Sequence, residues 1–127
     1  MPPSEDAKLL LRIVERHLRS LNFGLDEQFP AEDWGLTAQQ AVEKLLKCWI
    51  VLADGEPPPS HELDLLASEA NLELTDLLLD LQPFAVEARD QAGDFKLPAS
   101  RARILGEIQL LADQLRQAIE AKANTNP

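Results

Sequence analysis

Apolar residues recur along this chain at three- and four-residue intervals and nowhere in sustained alternation, so the pattern predicts helices and no strand. In a first helix, about Glu5 to Leu21, Leu10, Ile13, Val14, His17, Leu18 and Leu21 share one face. Lys8, Arg12, Arg16 and Arg19 line the opposite face. Ser4 is placed to cap this helix, Glu5 and Asp6 suit its positive end, and Asn22 and Gly24 end it. Residues 24–36, with Pro30, Gly35 and four acids, read as an irregular loop that Phe29 and Trp34 anchor to the core. Thr37 then opens a second helix through a Thr-x-x-Gln capping box with Gln40. Its buried face is Ala41, Val42, Leu45, Cys48, Trp49, Leu52 and Ala53, with Lys44 and Lys47 on the other side and Glu43 paired to Lys47.

Gly55 and Pro57-Pro58-Pro59 stop the second helix. Ser60 caps a short third one, about His61 to Ala70, built on Leu63, Leu66 and Ala67. A fourth is predicted from Glu73 to Ala88 on Leu74, Leu77, Leu78 and Leu81, kinked at Pro83. After a loop over Asp90 to Pro98, the last helix runs from Ala99 to Ala121. Its seam is Ile104, Leu105, Ile108, Leu111, Ala112, Leu115 and Ile119. Mostly short connections between helices of this length predict an all-α, up-and-down bundle of four to five helices. It occupies residues 1–123 as one domain, with 124–127 as a disordered tail.

A length of 127 residues agrees with one domain, able to bury roughly two-thirds of its unfolded surface. The 24 leucines and the absence of tyrosine favour helix over strand. Acids outnumber bases 22 to 12, which argues against a general DNA or anionic-membrane binder. The imbalance is local: Asp54 to Asp94 holds 11 acids and one base, Arg89. That half is either a solvated face or a dock for a basic partner. Cys48 alone cannot make an intrachain disulfide or a cysteine-based zinc site. The longest apolar run, about six residues from Cys48, is far short of a bilayer span. Met-Pro-Pro-Ser-Glu-Asp lacks the basic start and apolar middle of a signal peptide, so a cytoplasmic protein is expected.

Candidate chemistry is sparse. Lys44, Lys47 and Arg89 are the best cations for holding a phosphate, or else they form structural ion pairs with Glu43 or Glu87. His61, at a predicted helix start, reads as a general base, a phosphate donor or a helix-start histidine bonded to a loop. The Lys8, Arg12, Arg16 and Arg19 stripe is the solvent side of an amphipathic helix or a contact for RNA backbone. Arg12 and His17 form an Arg-x4-His string, but on a helix they point about 140° apart, so His17 reads as structural. No metal-ligand spacing, Gly-rich phosphate loop or Ser-His-Asp set is present, so neither metal nor cofactor is expected and no catalytic residue is assigned.

The segment Ala38-Gln39-Gln40-Ala41-Val42-Glu43-Lys44-Leu45-Leu46-Lys47 resembles the second-helix signature of the HEPN superfamily. Pro59-Ser60-His61-Glu62-Leu63 and Phe84-Ala85-Val86-Glu87-Ala88-Arg89 resemble two later patterns of that family, in the same order, and together they cover about residues 37–90. The resemblance implies a four- or five-helix bundle acting as a homodimer, often beside a small nucleotidyltransferase, with a nucleotide such as ATP as ligand. Other branches of the family are RNases, often toxins, with an Arg-x(4–6)-His motif. Here Asp90 stands where the family usually has tyrosine, and no histidine follows Arg89. The expectation is therefore a non-catalytic nucleotide-binding or adaptor module, with candidate residues Lys44, Lys47, Arg89 and His61. An RNase toxin and a purely structural dimer are the alternatives; RNA binding stays open.

Overall fold

The computed structural model describes residues 3–85 and 96–125, and these form helices and connections with no strand among them. α1 spans Pro3–Phe23, α2 Ala31–Leu52, α3 Leu63–Ala70, α4 Asp76–Leu79 and α5 Arg101–Thr125, with a 3-10 turn over Gln82–Ala85 before the undescribed stretch. The all-α bundle is as the periodicity predicts. The last three residues of the predicted fourth helix, 86–88, Arg89 and most of the 90–98 loop lie outside the described residues, as do residues 126–127. No helix among the described residues is long and apolar enough to cross a membrane.

α2 is the axis of the molecule. Ala7, Leu11, Val14 and Leu21 of α1 are buried against it, as are Leu63, Leu66 and Ala67 of α3 and the Ile104, Ile108, Ala112, Leu115 and Ile119 seam of α5. α5 runs parallel to α2 and antiparallel to α1. Arg101, in its first turn, binds carbonyls of the α1–α2 connection, and Lys122, near its end, donates to the Leu52 carbonyl at the end of α2. That last contact places a cation where the α2 carbonyls lack partners.

Several boundaries differ from the sequence expectation. α2 begins at Ala31, not Thr37. Glu32 and Asp33 occupy its first turn, where acids are favoured, and Pro30 fixes the entry. Thr37 therefore caps nothing; its Oγ1 donates to the Asp33 carbonyl one turn back at 3.0 Å. Trp34 is a helix residue only 1% exposed, and its indole N–H donates to the Leu21 carbonyl at 3.0 Å. Phe29 is exposed, its ring lying over Gly24 at the loop surface instead of in the core. Gly35 sits mid-helix because Phe84 packs on it: a Cβ there would lie 2.8 Å from Phe84 Cγ.

Ser4 lies inside the first turn of α1 instead of capping it, with Pro3 ahead of it. α3 starts at Leu63, two residues after the predicted His61. Its first free N–H, on Leu63, donates to Gln82 Oε1 at 2.6 Å, a cap supplied from 19 residues away. The predicted fourth helix is instead the single turn of α4, capped by Thr75 Oγ1, followed by the 3-10 turn that holds Pro83. Ser100 Oγ accepts from Arg103 N–H and so starts α5, which continues through Asn124 and Thr125, residues the sequence assigns to the tail. At the end of α2 the left-handed residue is Asp54, φ 65°, not Gly55; the Gly55 N–H closes the turn on the Ile50 carbonyl at 2.9 Å.

Candidate functional site

α2 is enclosed on both sides, and this creates the site. After Asp54 the chain turns back along α2, so the connection to α3 covers the face that carries Glu43, Lys44 and Lys47. Those lysines are therefore half-shielded rather than solvent-facing, 31% and 15% exposed. Glu43 between them is a buried carboxylate, 3% exposed.

Glu43 is held at both oxygens. Oε2 faces Lys47 Nζ at 3.3 Å and Lys44 Nζ at 3.5 Å. Oε1 faces the His61 ring at Nδ1, 2.9 Å away, and Gln39 Nε2 at 3.4 Å. Burial pushes the Glu43 carboxyl up, but the His61 hydrogen bond and the charges of Lys47, His61 and Lys44 outweigh it and hold the group below its ordinary value. At neutral pH Glu43 is thus an anion and can only accept hydrogen bonds. The proton in the 2.9 Å contact therefore belongs to His61, whose Nδ1–H donates.

The backbone of His61 is fixed as well. Its carbonyl accepts from Gln39 Nε2 and Gln82 Nε2, both at 3.1 Å, and Ser60 Oγ accepts from the Glu62 N–H at 3.1 Å. The ring is nevertheless 71% exposed. Only its Nδ1 edge is tied to the protein, and Nε2 has no partner among the described residues.

His61, Gln39, Gln40, Glu43 and Lys44 line a cleft of about 140 Å³, closed by Leu36 and Ala85. His17 of α1 belongs electrostatically to the same cluster. Burial lowers its pKa first, then the charges of Lys44 and Arg16, against an opposing pull from Glu43. His17 is therefore neutral at pH 7.

Of the four candidates chosen from sequence, the fold brings Lys44, Lys47 and His61 together; Arg89 lies outside the described residues. The hub, Glu43, was visible in the sequence as an ion-pair partner for the two lysines, and both pairs form; its contact with His61 was not. The amides of Gln39 and Gln82 gave no local signal at all. Larger clefts lie elsewhere among the described residues, two of them lined by an arginine of α5. One of about 500 Å³ between α1 and α5 has its Arg116 already paired with Asp113 and Glu15. The other, about 680 Å³, lies beside Arg101. That guanidinium is consumed by the carbonyls of Gly24, Asp26 and Phe29 at 2.6–2.8 Å and lies 5.9 Å from the centre of the Trp34 ring.

Comparison of the chain with family models, curated proteins and solved structures gives no match. The chemistry of the cluster thus rests on its own geometry. Two ammonium groups face one carboxylate, and of the lysines only Lys44 lines the cleft, so the lining is charge-balanced in a molecule whose formal net charge is -10. The cleft offers N–H donors from Lys44 and from the amide of Gln40, while Gln39 Nε2 is committed to Glu43 and the His61 carbonyl. Such a set suits an oxyanion.

Proposed function

We propose that this chain is a non-catalytic binding module of the HEPN type whose Glu43 cleft receives the phosphate of a nucleotide such as ATP. The observation that supports it is the convergence of Lys44, Lys47 and His61 on one buried carboxylate at a small polar cleft. The volume limits the reading. About 140 Å³ accommodates one phosphoryl group but is below the roughly 300–1,000 Å³ of a small-molecule pocket, so base and ribose lie outside it. Binding is accordingly weak, in the micromolar range or poorer, unless a partner covers the remainder of the nucleotide. A small nucleotidyltransferase is the proposed partner and a homodimer the proposed assembly; the acidic half from Asp54 onward provides a face for a basic surface. Calorimetry with ATP tests this: Lys44→Gln should weaken binding several-fold, and absence of heat with any nucleotide, with and without a transferase, removes the reading.

One observation favours the RNase alternative. His61 lines the cleft, and His17, which does not, feels the Glu43 charge from α1; a nuclease would use the two imidazoles as acid and base. Growth arrest on expression that His17→Ala and Arg89→Ala both abolish would replace the binding module with a nuclease.

A further inference from the structure

The His61–Glu43 pair has a consequence that phosphate binding alone does not use. A buried anionic carboxylate takes the Nδ1–H of an exposed imidazole, so the neutral ring carries its lone pair on Nε2. The lysines at 3.3 and 3.5 Å occupy Oε2 and leave Oε1 to the ring, with Gln39 Nε2 as its more distant second donor. Lys44 shares the cleft and can neutralise oxygens of an incoming group, while the exposed face of His61 leaves room for a leaving group opposite. Oriented nucleophile, fixed charge and a space the size of one phosphoryl group are the requirements of phosphoryl transfer to nitrogen.

We propose that His61 Nε2 is a phosphoryl-acceptor site, charged by a small acyl phosphate or phosphoramidate, with Glu43 as its positioning residue. This rests on the reading that the cleft takes a phosphoryl group. With an acyl phosphate as donor, the Nε2 lone pair forms the N–P bond as the P–O bond to the acyl group breaks. The carboxylate leaves with that electron pair. The ring gains a positive charge, which the Glu43 anion offsets across the Nδ1–H bond. No oxidant or reductant is involved.

The test incubates the full chain with acetyl phosphate and measures intact mass. The expected result is a gain of one phosphoryl group that acid removes and base does not. His61→Asn, whose amide can still meet Glu43, should abolish it. Glu43→Gln should slow it about tenfold or more. In that variant the imidazole 15N shifts should move away from the Nδ1–H tautomer, which a merely structural Glu43 would not produce. No gain in the wild type, an acid-stable adduct, or a gain that survives His61→Asn would overturn the proposal. Nuclear magnetic resonance titration with inorganic phosphate separates the two readings. Shifts at Lys44 and His61 without covalent transfer end the acceptor site and keep the binding site; neither shifts nor transfer ends both.

Discussion

Replacing Glu43 by Gln keeps the shape of a side chain that is 3% exposed and removes only its charge. The structure allows the cost to be worked out. The 2.9 Å bond from His61 falls from charge-assisted to neutral, a loss of about 1 kcal/mol. The two lysine contacts, at 3.3 and 3.5 Å and half-shielded, contribute about 0.5 kcal/mol each at most. Relief of the buried anion's desolvation works in the other direction, but the lowered pKa shows that folding favours the charged form on balance. The net expectation is a loss of roughly 1–2 kcal/mol at pH 7, or roughly 4–8 °C in Tm. Its pH dependence follows from the sign of the shift. A carboxyl with a depressed folded-state pKa stabilises fully above its unfolded value, 4.5, and loses that contribution as pH falls through the lower folded value. The gap between wild type and Glu43→Gln, followed by urea denaturation, should be full above pH 4.5 and shrink below it. A variant as stable as the wild type at pH 7, or a gap that persists unchanged at pH 3, would refute the account of Glu43 as an ionised hub.

The two helical glycines of α2 and α5 should respond oppositely to Ala. At Gly35 the new Cβ meets the buried Phe84 ring, so overpacking costs about 1–3 kcal/mol, whereas at Gly106 nothing lies within 4 Å and the better helix former gains about 0.5–1 kcal/mol. Thermal melts decide it; equal shifts of one sign contradict the packing. Arg101→Lys leaves the Gly24, Asp26 and Phe29 carbonyls without their shared fork, and hydrogen exchange over residues 24–29 should accelerate; unchanged protection means the clamp is idle. Burial pushes the Cys48 thiol up to about 12, so the folded protein should resist thiol reagents at pH 8 and release one reactive thiol on unfolding. Stoichiometric labelling of the native protein is the contrary result.

The helices with a one-sided apolar stripe were legible from the chain alone. The Ile104 to Ile119 seam is buried as its spacing indicates, and so are Leu63, Leu66 and Ala67. The start of α2 was not, because every residue that marks it imitates a loop. Pro30, Trp34 and Gly35 look like punctuation until Phe84, 49 residues on, is known to lie against Gly35. Thr37 carried a capping-box spacing that has no cap to make, since a hydroxyl bonded one turn back serves equally inside a helix. Lys44, Lys47 and His61 could be named from residue type and position. That they meet could not, because the return of the chain after Asp54 is what buries Glu43. His17, expected at the centre of the apolar face of α1, is only partly buried beside a face made by Ala7, Leu11, Val14 and Leu21, and its interaction with Lys44 is tertiary.

A buried carboxylate is a poor way to stabilise a helical bundle, since an apolar residue of the same volume usually does as well or better. Glu43 therefore calls for another reason to exist, and its partners supply one. The connection between α2 and α3 contains Pro57, Pro58 and Pro59, which lack backbone donors, so its own hydrogen bonds are confined to its two ends, at Gly55 and at Ser60 and Glu62. Its position is set by side chains: Gln39 and Gln82 on the His61 carbonyl, Gln82 on the Leu63 N–H, and Glu43 on the ring. Three of these four bonds converge on one residue, and the fourth lies two positions along. The amides alone would fix the backbone. Only the carboxylate fixes the imidazole, and it does so with a charge that the two lysines must be present to offset. A bundle needing no more than a docked loop could have used the amides and a leucine, so the additional cost of an ion cluster is spent on holding one exposed ring in one tautomer.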